Sequence, residues 1–219
     1  MLFNTRLIVS LAIGIFGLHT AAQAAEADLS VNARLLLAAR NGDATGLDRA
    51  LKSGAAVNSR NRLGETVLVT ALKKNDLAMA KTMLDAGADV NVPAVNGVTP
   101  LMAAAFAGED QMVATLLAKG ADINALDRLK KNPMTYAAGA GNTGIVKILI
   151  ANGVDPNAVY NNDLTALMWA AGFGKSSTVN ALLDAGARAD LKDNRGKTAL
   201  DMAREGKYDE TAKLLEAKR

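Results

Sequence analysis

A fixed repeat of 33 residues constrains this chain more than any other feature. Stepping by that interval from Gly120 meets Gly54, Gly87, Gly153 and Gly186. Stepping from Thr99 meets Thr66, Asn132, Thr165 and Thr198, and from Ala104 it meets Ala38, Ala71, Ala137, Ala170 and Ala203. A period of this size means stacked units, none of which can bury its apolar face alone. The predicted fold class is an all-α repeat solenoid of about six units. Repeats fall near 31–58, 63–91, 96–124, 129–157, 162–190 and 195–217, and the terminal ones are polar caps.

The residue types at each repeat position have physical reasons. Thr66, Thr99, Thr165 and Thr198 sit where a side-chain oxygen caps a first helix, and Asn132 can do the same. Pro100 and Pro133 fall in the first turn, where a missing N–H costs nothing. Gly108, Gly141 and Gly174 end first helices and Gly87, Gly120 and Gly153 end second ones, with Asn75 standing in for Gly in repeat 2. Leu84, Leu117, Ile150 and Leu183 are expected to supply the core stripe of the second helices. Met79, Met83, Met102, Met112, Met134, Met168 and Met202 fall on helical positions as core, and Trp169 reads as packing between repeats. In repeat 6 the glycine is at 206 and the leucine pair at 214–215, which predicts one residue missing between its helices. Lys130-Lys131 replaces a Gly-x pair, which predicts a distorted finger in repeat 4.

The run Gly97-Val98-Thr99-Pro100-Leu101-Met102-Ala103-Ala104, followed by Leu116-Leu117 and by Gly120-Ala121-Asp122-Ile123-Asn124, resembles the ankyrin repeat. The resemblance covers roughly residues 31 to 217. It implies a cupped, partner-binding face whose fingers are the hairpins and whose palm is the first helices. Carried over position by position, it implies partner contacts at Arg62, Val95, Val98, Arg128, Lys131, Tyr160 and Leu164 on the fingers. On the palm it implies Lys73, Phe106 and Phe173. Val95, Val98 and Phe106 would form one apolar group and Tyr160, Leu164 and Phe173 another, with Arg128, Lys130 and Lys131 between them. The family usually carries His two places after the Pro. Here Val69, Met102, Thr135, Met168 and Asp201 stand there. The array is expected to lack that hydrogen-bond ladder, with only Thr135 and Asp201 able to bond locally.

Residues 1–24 read as a signal peptide. Arg6 gives the positive start, Leu7–Leu18 an apolar run, and Ala22-Gln23-Ala24 the small residues read at cleavage. The run is shorter than the about 20 residues a bilayer span needs. It implies export to the periplasm and no membrane insertion after cleavage, leaving residues 25–219 as the repeat domain.

The rest of the composition mainly narrows the chemistry. The chain has no cysteine, and its one histidine, His19, lies in the leader. The mature chain thus has no Ser-His or Cys-His arrangement, and no metal site is expected. A net charge of +3 with mixed signs does not suit nucleic acid. Asp85, Asp89, Asp122, Asp155 and Asp184 read as surface charge. The expected function is a non-enzymatic protein-binding module, monomeric and without cofactor, acting as adaptor, stabiliser or inhibitor. A secreted effector and, more remotely, a carboxylate-only hydrolase are the alternatives.

Overall fold

The computed structural model describes residues 29–218. The leader read at residues 1–24 lies outside them. The chain forms two compact units that meet in sequence between Ser59 and Arg60. Among the described residues there are twelve α-helices and no strand, and no helix is long and apolar enough to cross a membrane.

The first unit contributes one helical hairpin, α1 (Val31–Asn41) and α2 (Ala44–Lys52). Ser30 Oγ accepts from the Ala33 N–H (3.2 Å) and Asp43 Oδ1 from the Gly46 N–H (2.9 Å), so each helix starts on a side-chain cap. Leu35, Ala38, Ala39, Leu47 and Ala50 are buried. Asn32 Oδ1 holds the Ala56 N–H at 2.7 Å.

The second unit is a solenoid of five repeats. Its first helices are α3 (Val67–Lys73), α5 (Pro100–Ala107), α7 (Pro133–Ala140), α9 (Ala166–Gly172) and α11 (Ala199–Glu205). Each packs on the next in one layer. Ala71, Ala104, Ala137, Ala170 and Ala203 are wholly buried, and their methyl groups are small enough to let helix axes come close. The second helices are α4 (Leu77–Asp85), α6 (Asp110–Ala118), α8 (Thr143–Ala151), α10 (Ser176–Asp184) and α12 (Asp209–Ala217).

The methionines expected in the core are all buried. The core stripe of the second helices, however, lies one residue earlier than the sequence suggested. Met83, Leu116, Leu149, Leu182 and Leu215 are essentially inaccessible; of the expected residues Leu84 is buried too, whereas Leu117, Ile150 and Leu183 are partly exposed. Each fully buried Leu or Met contributes about 1.5–3 kcal/mol.

That shift also removes the deletion expected in repeat 6. Helices α11 and α12 keep the 33-residue register, and Leu215 takes the position of Leu182. The left-handed residue between them is Lys207 (φ 57°), in line with Asn75, Gly108, Gly141 and Gly174, while Gly206 is right-handed. The glycine moved; the backbone did not.

The caps follow expectation. Thr66, Thr99, Thr165 and Thr198 each accept from the N–H three residues on, as Asn132 does from Thr135. The local bonding is wider than expected. Besides Thr135 and Asp201, Met102 Sδ accepts the Thr99 N–H (3.5 Å) and Met168 Sδ the Thr165 N–H (3.4 Å). A thioether is a weak acceptor, but it suffices to close the cap. Cross-repeat bonds are supplied by asparagines. Asn91 accepts the Asp122 N–H (2.8 Å) and donates to the Gly120 carbonyl (2.9 Å), and Asn157 does the same with Arg188 and Gly186.

Candidate functional site

Five fingers line one side of the second unit, and each closes identically. The N–H groups of Asn61, Ala94, Asp127, Tyr160 and Asp193 each donate to the carbonyl four residues on, all at 2.9 Å. Neighbouring fingers are tied together: the Arg128 N–H donates to the Asn96 carbonyl and the Asn194 N–H to the Asn162 carbonyl, both at 3.0 Å. This approach explains Gly97 (φ 84°), where a Cβ would lie 2.8 Å from Asp127 Cα.

Finger 4 is not distorted. Lys130 is left-handed (φ 60°), as Gly64, Gly97 and Gly196 are at the equivalent places (φ 67°, 84° and 77°). Numbered by repeat, so that the five are fingers 2 to 6, the irregular one is finger 5, a 3-10 turn over Asn161–Asp163 with both Asn162 (φ 60°) and Asp163 (φ 58°) left-handed. Asn61, Asp127 and Asp193 fold their side chains over the loop, each accepting the N–H groups two and four residues on. Ala94 and Tyr160 have no such oxygen; the Ala94 loop keeps the regular form with Gly97 as its one left-handed residue, and the Tyr160 loop coils.

Two grooves run between fingers and palm. The first, about 390 Å³, is lined by Arg62, Leu63, Glu65, Lys73, Val95, Asn96 and Arg128. Glu65 Oε1 takes the Lys73 ammonium at 2.6 Å, and its other oxygen accepts from Asn61 Nδ2 at 3.1 Å. Partial burial alone would raise the Glu65 carboxyl, but the Lys73 and Asn61 hydrogen bonds outweigh it and hold the pKa below its ordinary value.

The second groove, about 240 Å³, is lined among others by Leu129, Lys130, Lys131, Tyr160, Leu164 and Trp169. Its floor is aromatic. Trp169 stacks on Phe173 (centroids 5.9 Å, planes 11° apart), and both rings lie within 4 Å of where a Gly139 Cβ would be. Phe106 meets Tyr136 edge-on at 6.3 Å. The Lys131 ammonium sits 5.0 Å from the Trp169 centroid and 5.8 Å from that of Tyr136. Tyr136 donates to the buried Asp127 carboxylate at 2.8 Å. Burial, then the Asp127 hydrogen bond and charge, push the Tyr136 phenol well up. The Tyr160 phenol is also raised, mainly by burial. Asn132 pulls it part of the way back, but no partner meets hydrogen-bond geometry at its hydroxyl.

The residues expected on the palm and fingers are thus distributed between two grooves. Arg62, Lys73, Val95 and Arg128 line the first; Lys131, Tyr160 and Leu164 line the second, with Phe173 beneath Trp169. Phe106 and Phe173 are 63% and 52% exposed. Three expectations need correction. Val98 is buried and belongs to the core, because its side chain lies on the inner face of the closed finger. Phe106 meets Tyr136 of the next repeat edge-on, and Val95 lines the first groove. The basic cluster is split, Arg128 facing one groove and Lys130-Lys131 the other. Tyr136 and Trp169 are the residues the sequence reading passed over as site residues; Trp169 packs as expected, yet it remains half-exposed in the groove. The available signal was the position itself, which reads Thr70, Ala103, Tyr136, Trp169, Met202 down the repeats.

Among the described residues, no group of three or more acids or other ligating side chains could hold a metal ion. A family model described as ankyrin repeats in three copies matches residues 35–127 and 129–218, which is most of the chain. No curated protein matches it.

Proposed function

Because the chain belongs to the ankyrin-repeat family, a family of protein-interaction modules that are generally non-enzymatic, we propose that it is a non-catalytic adaptor, stabiliser or inhibitor. It holds one partner protein across fingers 2 to 5 and the first helices behind them. The observation that carries this reading is the aromatic floor of the second groove. Trp169, Phe173 and Phe106 keep large apolar faces at or near the surface, where they cost solvation unless a partner covers them. Aromatic anchors flanked by cations are the composition of interface hot spots.

The site of action we propose is the periplasm, with the chain working as a monomer. The supporting feature is the leader read at Arg6, Leu7–Leu18 and Ala22-Gln23-Ala24. A secreted effector would use the same palm and differ only in where the protein is recovered.

The test is affinity capture of the tagged mature protein from the periplasm of its own host. A variant carrying Phe106→Ala, Lys131→Glu and Phe173→Ala, checked by circular dichroism for retained helix, serves as the control. One protein recovered with the native form and absent with the variant supports the reading. Equal recovery with both forms contradicts it, and recovery of the chain mainly from the medium favours the effector.

A further inference from the structure

Two repeats join the last residue of the finger to the residue eight places on, near the end of the first helix, as an ion pair; repeats 3 and 5 carry no charge at either position (Val98 and Phe106, Leu164 and Gly172). In repeat 2 the two residues are Glu65 and Lys73, an ion pair at 2.6 Å. In repeat 6 they are Lys197 and Glu205, the same pair with its signs exchanged. In repeat 4 they are Lys131 and Gly139. The lysine is present and its carboxylate is missing.

The ammonium has gone instead to the aromatic rings. Among the described residues it makes no ion pair, and neither do Arg62, Arg128 and Lys130 on the adjoining fingers. Asp127 is buried and occupied by the Leu129 and Lys131 N–H groups and the Tyr136 hydroxyl, and Glu65 is occupied by Lys73. Beside the ammonium lies an apolar wall of Trp169, Leu164 and Leu129. A cation over a ring is worth about 0.5–1 kcal/mol at an exposed site, and it leaves the ammonium's remaining donors free for a stronger charge-assisted bond.

We propose that the second groove is completed in trans: a carboxylate from an acidic, extended segment of the partner protein takes the place against Lys131 that Glu205 takes against Lys197. The adjoining residue of that segment is large and apolar and lies on Trp169 and Phe173. Further acids of the segment meet Lys130 and Arg128 on finger 4 and Arg62 on finger 2. The proposal rests on the reading of the palm as a partner site and specifies the chemistry of the partner.

Two features make it testable. Trp169 is the only tryptophan, so its emission reports on this groove alone. A Cβ at Gly139 would meet Trp169 and Phe173 at 3.6 and 3.7 Å, ordinary contact distances, so the missing carboxylate can be supplied in cis by Gly139→Glu. Gly139→Gln is the uncharged control for fold and bulk.

A phage library of random dodecapeptides is selected on the immobilised mature protein, and enriched sequences are synthesised and titrated against Trp169 emission. The expected winners are acidic, with a large apolar residue next to Asp or Glu. Their affinity falls at least about tenfold in Gly139→Glu and in Lys131→Met, and stays within about twofold in Gly139→Gln. Winners without acidic bias, or acidic winners indifferent to Gly139→Glu, overturn the carboxylate assignment while leaving the palm as a partner site. Enrichment of nothing overturns both. Sedimentation with phosphatidylglycerol vesicles that is lost in Lys131→Met would assign the ammonium to a lipid surface and overturn the peptide.

Discussion

The two grooves share one backbone and differ in how each satisfies its charge. In the first, Glu65 and Lys73 neutralise one another within a repeat, and Asn61 fixes the carboxylate. In the second, Lys131 rests on Tyr136 and Trp169 with no carboxylate across from it. The fingers that frame them close through the same 2.9 Å hydrogen bond. The scaffold therefore fixes where side chains are presented, and a few positions decide whether a groove is self-satisfied or open to a ligand. At the helix position behind the finger, Lys73 closes the first groove and Gly139 leaves the second open.

The shared scaffold is where the largest effects are expected. Gly97 packs against the backbone of finger 4 and holds φ 84°, so Gly97→Ala combines left-handed strain with a backbone clash and should cost about 3 kcal/mol. Gly196 has a similar φ of 77° with nothing within 4 Å of its missing Cβ. Gly196→Ala should cost about 1–2 kcal/mol, the strain alone. Urea unfolding of the two variants separates the contributions, and equal losses would mean that the fingers do not rely on close stacking.

Next in size is a contrast between the loop-closing side chains. Asp127→Ala removes the acceptor for two N–H groups and strands the Tyr136 hydroxyl, and should cost about 2–3 kcal/mol. It should also shift Trp169 emission, since Lys131 loses its loop geometry. Asn61→Ala in the first groove leaves no aromatic hydroxyl unpaired and should cost about 1 kcal/mol. Smaller again, and opposite in sign, Lys130→Gly should stabilise by about 0.5–1 kcal/mol, because a left-handed lysine is replaced by a residue that adopts φ 60° without strain.

The grooves should also part in their pH response. The folded-state pKa of Glu65 is lowered from its ordinary 4.5. Its contribution to stability is therefore present above that value and is lost as pH falls through the lowered pKa. Glu65→Gln should flatten this part of the acid unfolding curve, measured by circular dichroism. Lys131→Gln in the second groove should leave it unchanged.

Much of the scaffold was legible from the 33-residue period, because each helix cap and close-packed alanine is a local requirement met by one residue type. The errors came where a residue type and a backbone conformation part company. Lys207 and Lys130 adopt the left-handed geometry that glycine marks elsewhere, so reading glycines misplaced the last repeat by one residue and predicted a distorted finger. Val98 was misassigned because a finger alternates inner and outer faces, and only closure decides which is inner. Tyr136 and Trp169 were overlooked as site residues because their surroundings are made by other repeats. Gly139 carries no side chain and gives no signal until its partners Trp169, Phe173 and Lys131 are seen together.

The missing carboxylate at position 139 leaves Lys131 without an ionic partner. Comparing Gly139→Glu with Gly139→Gln by unfolding tests it without knowledge of any partner. The Glu variant should be the more stable at neutral pH, by about 0.5 kcal/mol as for a partly exposed ion pair. The difference should vanish at acid pH and in a Lys131→Met background. Equal stability of the two variants at every pH would contradict it.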